Sequence, residues 1–293
     1  MIYSTLSEQL NNMRNAFLFM LLLGVSGKGF ALSLDKTAQG YFYSSTDQSE
    51  MVEIPAGVYS LGDSQGRYDE RPQLSVRLHA FLIDRREVSN IQFQRFVQQS
   101  GYSPQGPWKE GFPTGGERLP VRLITWYDAQ AYAKWAGKQL PTETQWEAAA
   151  GKNIFPWGDT WQMGRSITDQ PVEAGPQEVD LSLERHPLGI LNLAGNVREW
   201  VATWYDRYAY QTLANLPIIE DPQGPMDHTP PEQRFIDAQL TAGNERSTRK
   251  VVKGASWVAH HPDWVRKSHR GAHNPHHWYN DLGFRCVFNL EEP

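Results

Sequence analysis

The residues with most chemical capacity concentrate in one stretch, KGASWVAHHPDWVRKSHRGAHNPHHWYNDLGFRC, from Lys253 to Cys286. Six of the nine histidines, His260, His261, His269, His273, His276 and His277, fall within it. Imidazole is the commonest transition-metal ligand and a proton carrier near neutral pH, so the stretch could be a metal centre, a catalytic groove or a solvated surface. His269 and His273 have the i, i+4 spacing that places two imidazoles on one helical face. Gly271 lies between them and Asn274-Pro275 follows, which argues against a helix, and no carboxylate accompanies them at ligand spacing. A polar, aromatic-lined groove is therefore the expected form. A second stretch, LNLAGNVREW from Leu191 to Trp200, offers oxygen. Asn192, the carbonyls of Gly195 and Val197, and Glu199 could surround a hard cation such as calcium, although Asn-Gly-Asn sequences are also ordinary turns. Nucleophile elbow, phosphate-binding glycine loop, CxxC pair and zincin helix are all missing from the chain.

These residues must be held by elements that the pattern makes legible. Ser89 with Gln92, Thr125 with Asp128, and Thr142 with Gln145 each precede apolar residues at helical spacing, so three capped helices are expected. Val52, Ile54, Val58 and Leu61 flank a turn at Pro55 to Gly57, as in a hairpin, and LSVRLHAFLIDRREV alternates like a strand with one buried face. Elsewhere Gly, Pro, Asn and eleven tryptophans dominate, which suits an α+β domain with much irregular structure anchored by aromatic rings. Residues 32–50 read as a polar tail, 51–290 as one domain, and 209–250, rich in proline, as a long loop or lid within it.

Composition narrows the possible partners. With 293 residues and a net charge of −5 the chain has no basic field for nucleic acid. Arg14 precedes the apolar run AFLFMLLLGV, and Gly29 and Ala31 stand where a signal peptidase reads, so 1–31 is expected to be a signal peptide. Ten apolar residues are too few for a bilayer core that takes about 20 helical residues. A soluble periplasmic or secreted protein without a stable membrane anchor is the expectation. Cys286 is the only cysteine, which excludes an intrachain disulfide.

IPAGVYSLGD, DERPQLSVRLHAFLIDRREVSNIQFQRF, LPVRLITWYDAQAYAKWAGKQLPTETQWEAAA, FPWGD, GILNLAGNVREW, DPQGP, VVKGASW and RGAHNPHHWYNDLGFRC occur in that order. Together they resemble the sulfatase-modifying-factor family, the family of the formylglycine-generating enzyme. The resemblance runs from about Met51 to Phe288 and implies a variant of the C-type-lectin fold. It also implies that the copper-binding cysteines of that enzyme would fall at Ala259 and at Trp264 or Val265, where no thiol stands. Copper(I) needs soft ligands, so no copper is expected. By the same resemblance Asn192, Gly195, Val197 and Glu199 match a structural calcium site, whereas a second calcium site between FPWGD and GILNL cannot be placed. Ser256 and His260 fall where the family has groove residues and are the candidate catalytic pair, with His260 as general base. Trp264, Arg266, His269 and Arg270 are the candidate substrate-binding residues. Two exported branches of the family are similar: siderophore-maturation proteins implicated in oxidation, and non-catalytic binding or regulatory proteins such as type VI secretion regulators. The first implies a maturation factor or oxidoreductase acting on a small molecule or peptide. The second implies a calcium-stabilised binding module.

Overall fold

The computed structural model describes residues 34–184, 186–216, 219–220 and 249–290. The 1–31 segment expected to be a signal peptide lies outside them, as does most of the proline-rich insertion.

Each helix starts where its capping residues require. In α1 (Asn90–Ser100) the Ser89 N–H donates to Gln92 Oε1 at 2.9 Å, and Gly101 closes the helix in the left-handed region at φ 68°. For α2 (Trp126–Trp135) Thr125 Oγ1 accepts from the Asp128 N–H at 3.2 Å. Thr142 Oγ1 does the same for the Gln145 N–H at 3.1 Å ahead of α3 (Glu143–Ala150). All eight residues of α3 are buried, so this short helix runs through the core rather than over it.

Twelve strands form three sheets among the described residues. The first joins β1 (Leu34–Lys36), β2 (Phe42–Ser44), β3 (Ser49–Ile54), β6 (Phe81–Asp84) and β12 (Val287–Asn289), in that order. A second holds β4 (Gly57–Leu61) against β5 (Leu74–Leu78) and β8 (Ile219–Glu220). The third, ordered β10-β9-β7-β11, consists of β7 (Arg198–Trp204), β9 (Lys250–Lys253), β10 (Gly271–His273) and β11 (Leu282–Gly283). The short helices α4 (Ala209–Leu213) and α5 (Pro262–Val265) complete the α+β architecture. Trp146, Phe81, Val251 and Tyr210 centre one apolar core; Phe93, Phe96, Tyr132 and Phe284 centre another.

Three expectations require correction. Residues 34–50 are not a tail: they supply β1, β2 and the start of β3, and Ser44, Asp47 and Ser49 are buried. Asp47, fully buried, accepts from Lys138 Nζ at 2.7 Å and from the Tyr132 hydroxyl at 3.2 Å; the same ammonium donates to Asp84 at 2.7 Å. Pro55 to Gly57 does not make a hairpin, because β3 pairs with β6 and β4 with β5, so the turn passes the chain between sheets. The alternating run after Leu74 likewise splits into β5, with alternate residues buried, and β6, buried throughout. Cys286 is a buried packing residue beside Asp84, and burial pushes its thiol pKa well up.

Candidate functional site

The third sheet gathers the groove residues from distant parts of the chain. The parallel register Leu282↔Arg198 sets Asp281 beside Arg198, and β10 brings His273 across β9. Asp281 is the hub: Ser256 Oγ donates to Oδ2 at 2.9 Å, and Arg198 Nη2 contacts Oδ1 at 2.5 Å. Arg198 Nη1 lies 2.5 Å from His273 Nε2, and the His273 ring packs on Tyr279 with centroids 4.2 Å apart. Burial and the adjoining guanidinium lower the His273 pKa to about 4 despite Asp281, so Nε2 accepts the Arg198 N–H. Ser256, 2% exposed, therefore gives its proton to a carboxylate already paired with arginine. Sequence reading missed Arg198, Asp281 and His273 as one unit. Their positions, 198, 273 and 281, carry no periodic signal, and only strand register joins them.

The other expected groove residues separate into braces and surface. Arg270 is 2% exposed; it donates to both Glu143 oxygens at 2.7 and 3.1 Å and lies over the Tyr205 and Tyr210 rings. It braces the core and does not line a substrate surface. Arg266 Nη1 bonds Glu70 at 2.7 Å and Asp63 at 3.1 Å, fastening the 63–70 loop. His269 meets Arg67 Nη1 at 3.3 Å; burial, with Lys253, Arg67, Arg266 and Arg198 around it, lowers its pKa to about 3. That ring is neutral and its Nε2 accepts the arginine proton. Trp264 is 42% exposed, and His260 sets its ring edge-on to it with centroids 4.6 Å apart. Since Ser256 bonds Asp281 and His260 bonds only the Val258 carbonyl at 3.4 Å, the expected pair is not joined by a hydrogen bond.

No group of three or more His, Cys, Asp or Glu side chains among the described residues is placed to hold a metal ion. Five of the six clustered histidines lie on four separate features: His260 and His261 beside Trp264, His269 against Arg67, His273 against Arg198, and His276 against Tyr127. At the first position implied for copper, Ala259 packs with Phe155, Ala194, Ala255 and Val265 in a small apolar cluster.

The 192–199 loop contains oxygen donors of the kind calcium takes. Asn192 and Asn196 both have left-handed backbones, at φ 58° and 67°, which curl the segment. A Cβ on Gly195 would stand 2.6 Å from the Ile167 carbonyl, so glycine is required. Glu199 is tied to Arg285, with Nη2 to Oε1 at 2.7 Å, and accepts from Trp146 Nε1 at 2.8 Å. Glu87, which sequence reading did not include, is 1% exposed and accepts from Asn192 Nδ2 at 3.0 Å and Asn196 Nδ2 at 2.9 Å. Burial raises its pKa to about 8, against the pull of Arg285 and with Glu199 adding repulsion. Glu184 is raised to about 7 by the same desolvation, although the Leu193 and Ala194 N–H groups donate to it. Three buried carboxylates surround one guanidinium, and without a cation burial favours the protonated form of Glu87 and Glu184; carboxylate and carbonyl oxygens are the ligands a hard cation takes. Glu199 is shared with Arg285, whereas Glu87 is held by the two asparagine amides.

The Sulfatase-modifying factor enzyme 1-like domain matches residues 41–290. The chain is 30% identical over 301 residues to the formylglycine-generating enzyme of Thermomonospora curvata, covering 81% of this chain and 92% of that enzyme. It is also 30% identical over 262 residues to the serine/threonine-protein kinase pkn1 of Chlamydia pneumoniae, covering 83% of this chain but 38% of the kinase's length. Among solved structures, PvdO from Pseudomonas aeruginosa is similar in fold, with a TM-score of 0.63 at 20% identity, covering 87% of this chain and 100% of PvdO. On the extent of the domain match, the chain belongs to the sulfatase-modifying-factor family, the family of the formylglycine-generating enzyme.

Proposed function

We propose that this protein is an exported recognition domain of that family, whose groove binds a small molecule or peptide without formylglycine-generating copper chemistry. Export rests on the charged, apolar and small-residue order of 14–31. The observation that carries the recognition reading is the prior engagement of the proton-carrying groups. Ser256 Oγ donates to Asp281, His273 Nε2 accepts from Arg198, and His269 Nε2 accepts from Arg67. A general base needs an available lone pair, and these two imidazoles have theirs occupied. Their preset donors and acceptors, with the exposed Trp264 on the same 253–286 segment, suit a rigid binding surface. Calcium, when bound by Asn192, the Gly195 and Val197 carbonyls, Glu87 and Glu199, would neutralise buried charge and stiffen the strand that carries Arg198. Nothing in the binding chemistry passes through that ion.

One observation favours maturation chemistry as a second reading. His260 is exposed and bonds only a backbone carbonyl, so its second ring nitrogen is open to solvent at the position where the family has its groove. Oxygen uptake with thiol-containing peptides and catechol-type small molecules separates the readings. The recognition reading expects no uptake by either the wild type or His260→Ala. Uptake by the wild type that His260→Ala abolishes would replace it with the oxidoreductase reading.

A further inference from the structure

A concavity lined by none of Ser256, Arg198, His273 and Asp281 lies between α2 with the residues that follow it and the end of β12. Its volume is about 740 Å³, and Trp126, Tyr127, Gln130, Lys134, Gln139 and Asn289 supply the chemistry of its lining. The 273–281 loop, whose two ends carry the groove residues His273 and Asp281, borders it through its middle: the Trp126 N–H donates to the Pro275 carbonyl at 3.1 Å, and His276 packs on Tyr127 with centroids 4.7 Å apart.

Three features of this lining limit what it can hold. Gln130, Lys134 and Gln139 are exposed, and their side-chain polar atoms have no hydrogen-bond or ion-pair partner among the described residues. Asn289 Oδ1 accepts from Gln145 Nε2 at 2.7 Å, which leaves its amide NH₂ as a donor. Second, the described lining includes no Asp or Glu, while the Lys134 ammonium stands at the surface. In a chain of net charge −5 this is a locally positive site, unfavourable to cations. Third, Tyr127 and Phe288 are only partly buried, so ring surface is available beside the polar groups. Planar amides match adjacent hydroxyls as paired donor and acceptor, aromatic carbon packs on the C–H face of a sugar ring, and an ammonium pairs with a carboxylate.

We infer that this cavity is a binding site for a short acidic oligosaccharide, its uronate carboxylate on Lys134 and its hydroxyls on Gln130, Gln139 and Asn289. The site shares no lining residue with the Ser256, Arg198, His273 and Asp281 group of the proposed recognition groove, although the 273–281 loop borders both. A neutral sugar leaves the ammonium unused.

Titration calorimetry, with tryptophan fluorescence as a second signal, tests this with α-1,4-trigalacturonate against neutral maltotriose on the full chain. The acidic trisaccharide should bind at least about ten-fold more tightly than the neutral one, the gain of one favourable ion pair. Lys134→Glu should remove that preference and Lys134→Arg should keep it. Gln130→Ala should weaken both sugars, and Ser256→Ala in the groove should leave both affinities unchanged. Melting temperatures of the variants matching the wild type separate lost binding from lost folding. Absence of binding at millimolar trigalacturonate, equal affinity for the two sugars, or binding lost in Ser256→Ala but retained in Lys134→Glu would overturn the inference.

Discussion

Glu87 is a carboxylate without an ion-pair partner among the described residues, buried to 1% exposure and held by two asparagine amides. Removing such a charge from water costs several kcal/mol unless it is protonated or neutralised by a cation. The calcium proposal therefore makes a prediction at the scale of one residue. Chelation should lower the melting temperature of the wild type and calcium should restore it, whereas Glu87→Gln should be nearly insensitive to either. A wild-type melting curve unmoved by excess chelator would remove calcium from the account. Glu87 was hidden in the sequence because it lies 105 positions before Asn192. Arg285 was hidden for the same reason: it binds the Glu199 carboxylate through both Nε and Nη2 from the last strand region.

Among elements, the β2–β3 corner has the clearest mechanical role. Its polar sequence resembles a solvated tail, yet Asp47 and Asp84 close on the Lys138 ammonium, and all three side chains are almost fully buried. Burial pushes the Asp84 carboxyl up, while Lys138 beside Asp47 holds that carboxyl below the usual range. Breaking one member of a buried ion group costs about 3–5 kcal/mol because the remaining charge is uncompensated. Asp47→Ala should therefore lower the urea unfolding free energy by about that amount, with α1 and α2 melting in the same transition. A loss below about 0.5 kcal/mol, the usual size for a surface change, would return the segment to the status of a tail. The three helix starts were legible because each capping box lies within four residues. Strand partnership was not legible, since β3 and β4 are separated by two residues and still enter different sheets.

For the whole molecule, histidine burial sets an acid limit. Burial, aided by neighbouring cations, lowers the pKa values of His186, His269 and His273 to about 4, 3 and 4, from an ordinary value near 6.5. A base whose folded pKa is lowered gives stability that is complete above 6.5 and is lost as pH falls through the folded value. The melting temperature should therefore decline from about pH 6.5 toward pH 4, and His269→Gln, which cannot ionise, should flatten part of that slope. Parallel slopes for the two proteins would show that His269 is not desolvated as described. The sequence by itself determined the family, the α+β class, the helix starts and the lack of thiols at positions 259 and 264, because these follow from local spacing and residue identity. Only the tertiary structure decided which charges meet. It placed Ser256 on Asp281 rather than His260, moved Arg270 into the core, and divided the histidines among separate partners. The physical reason is that strand register and ion pairing join residues far apart in the chain, such as Asn289 with Phe81 and Arg266 with Glu70, and that pairing leaves no trace in local pattern.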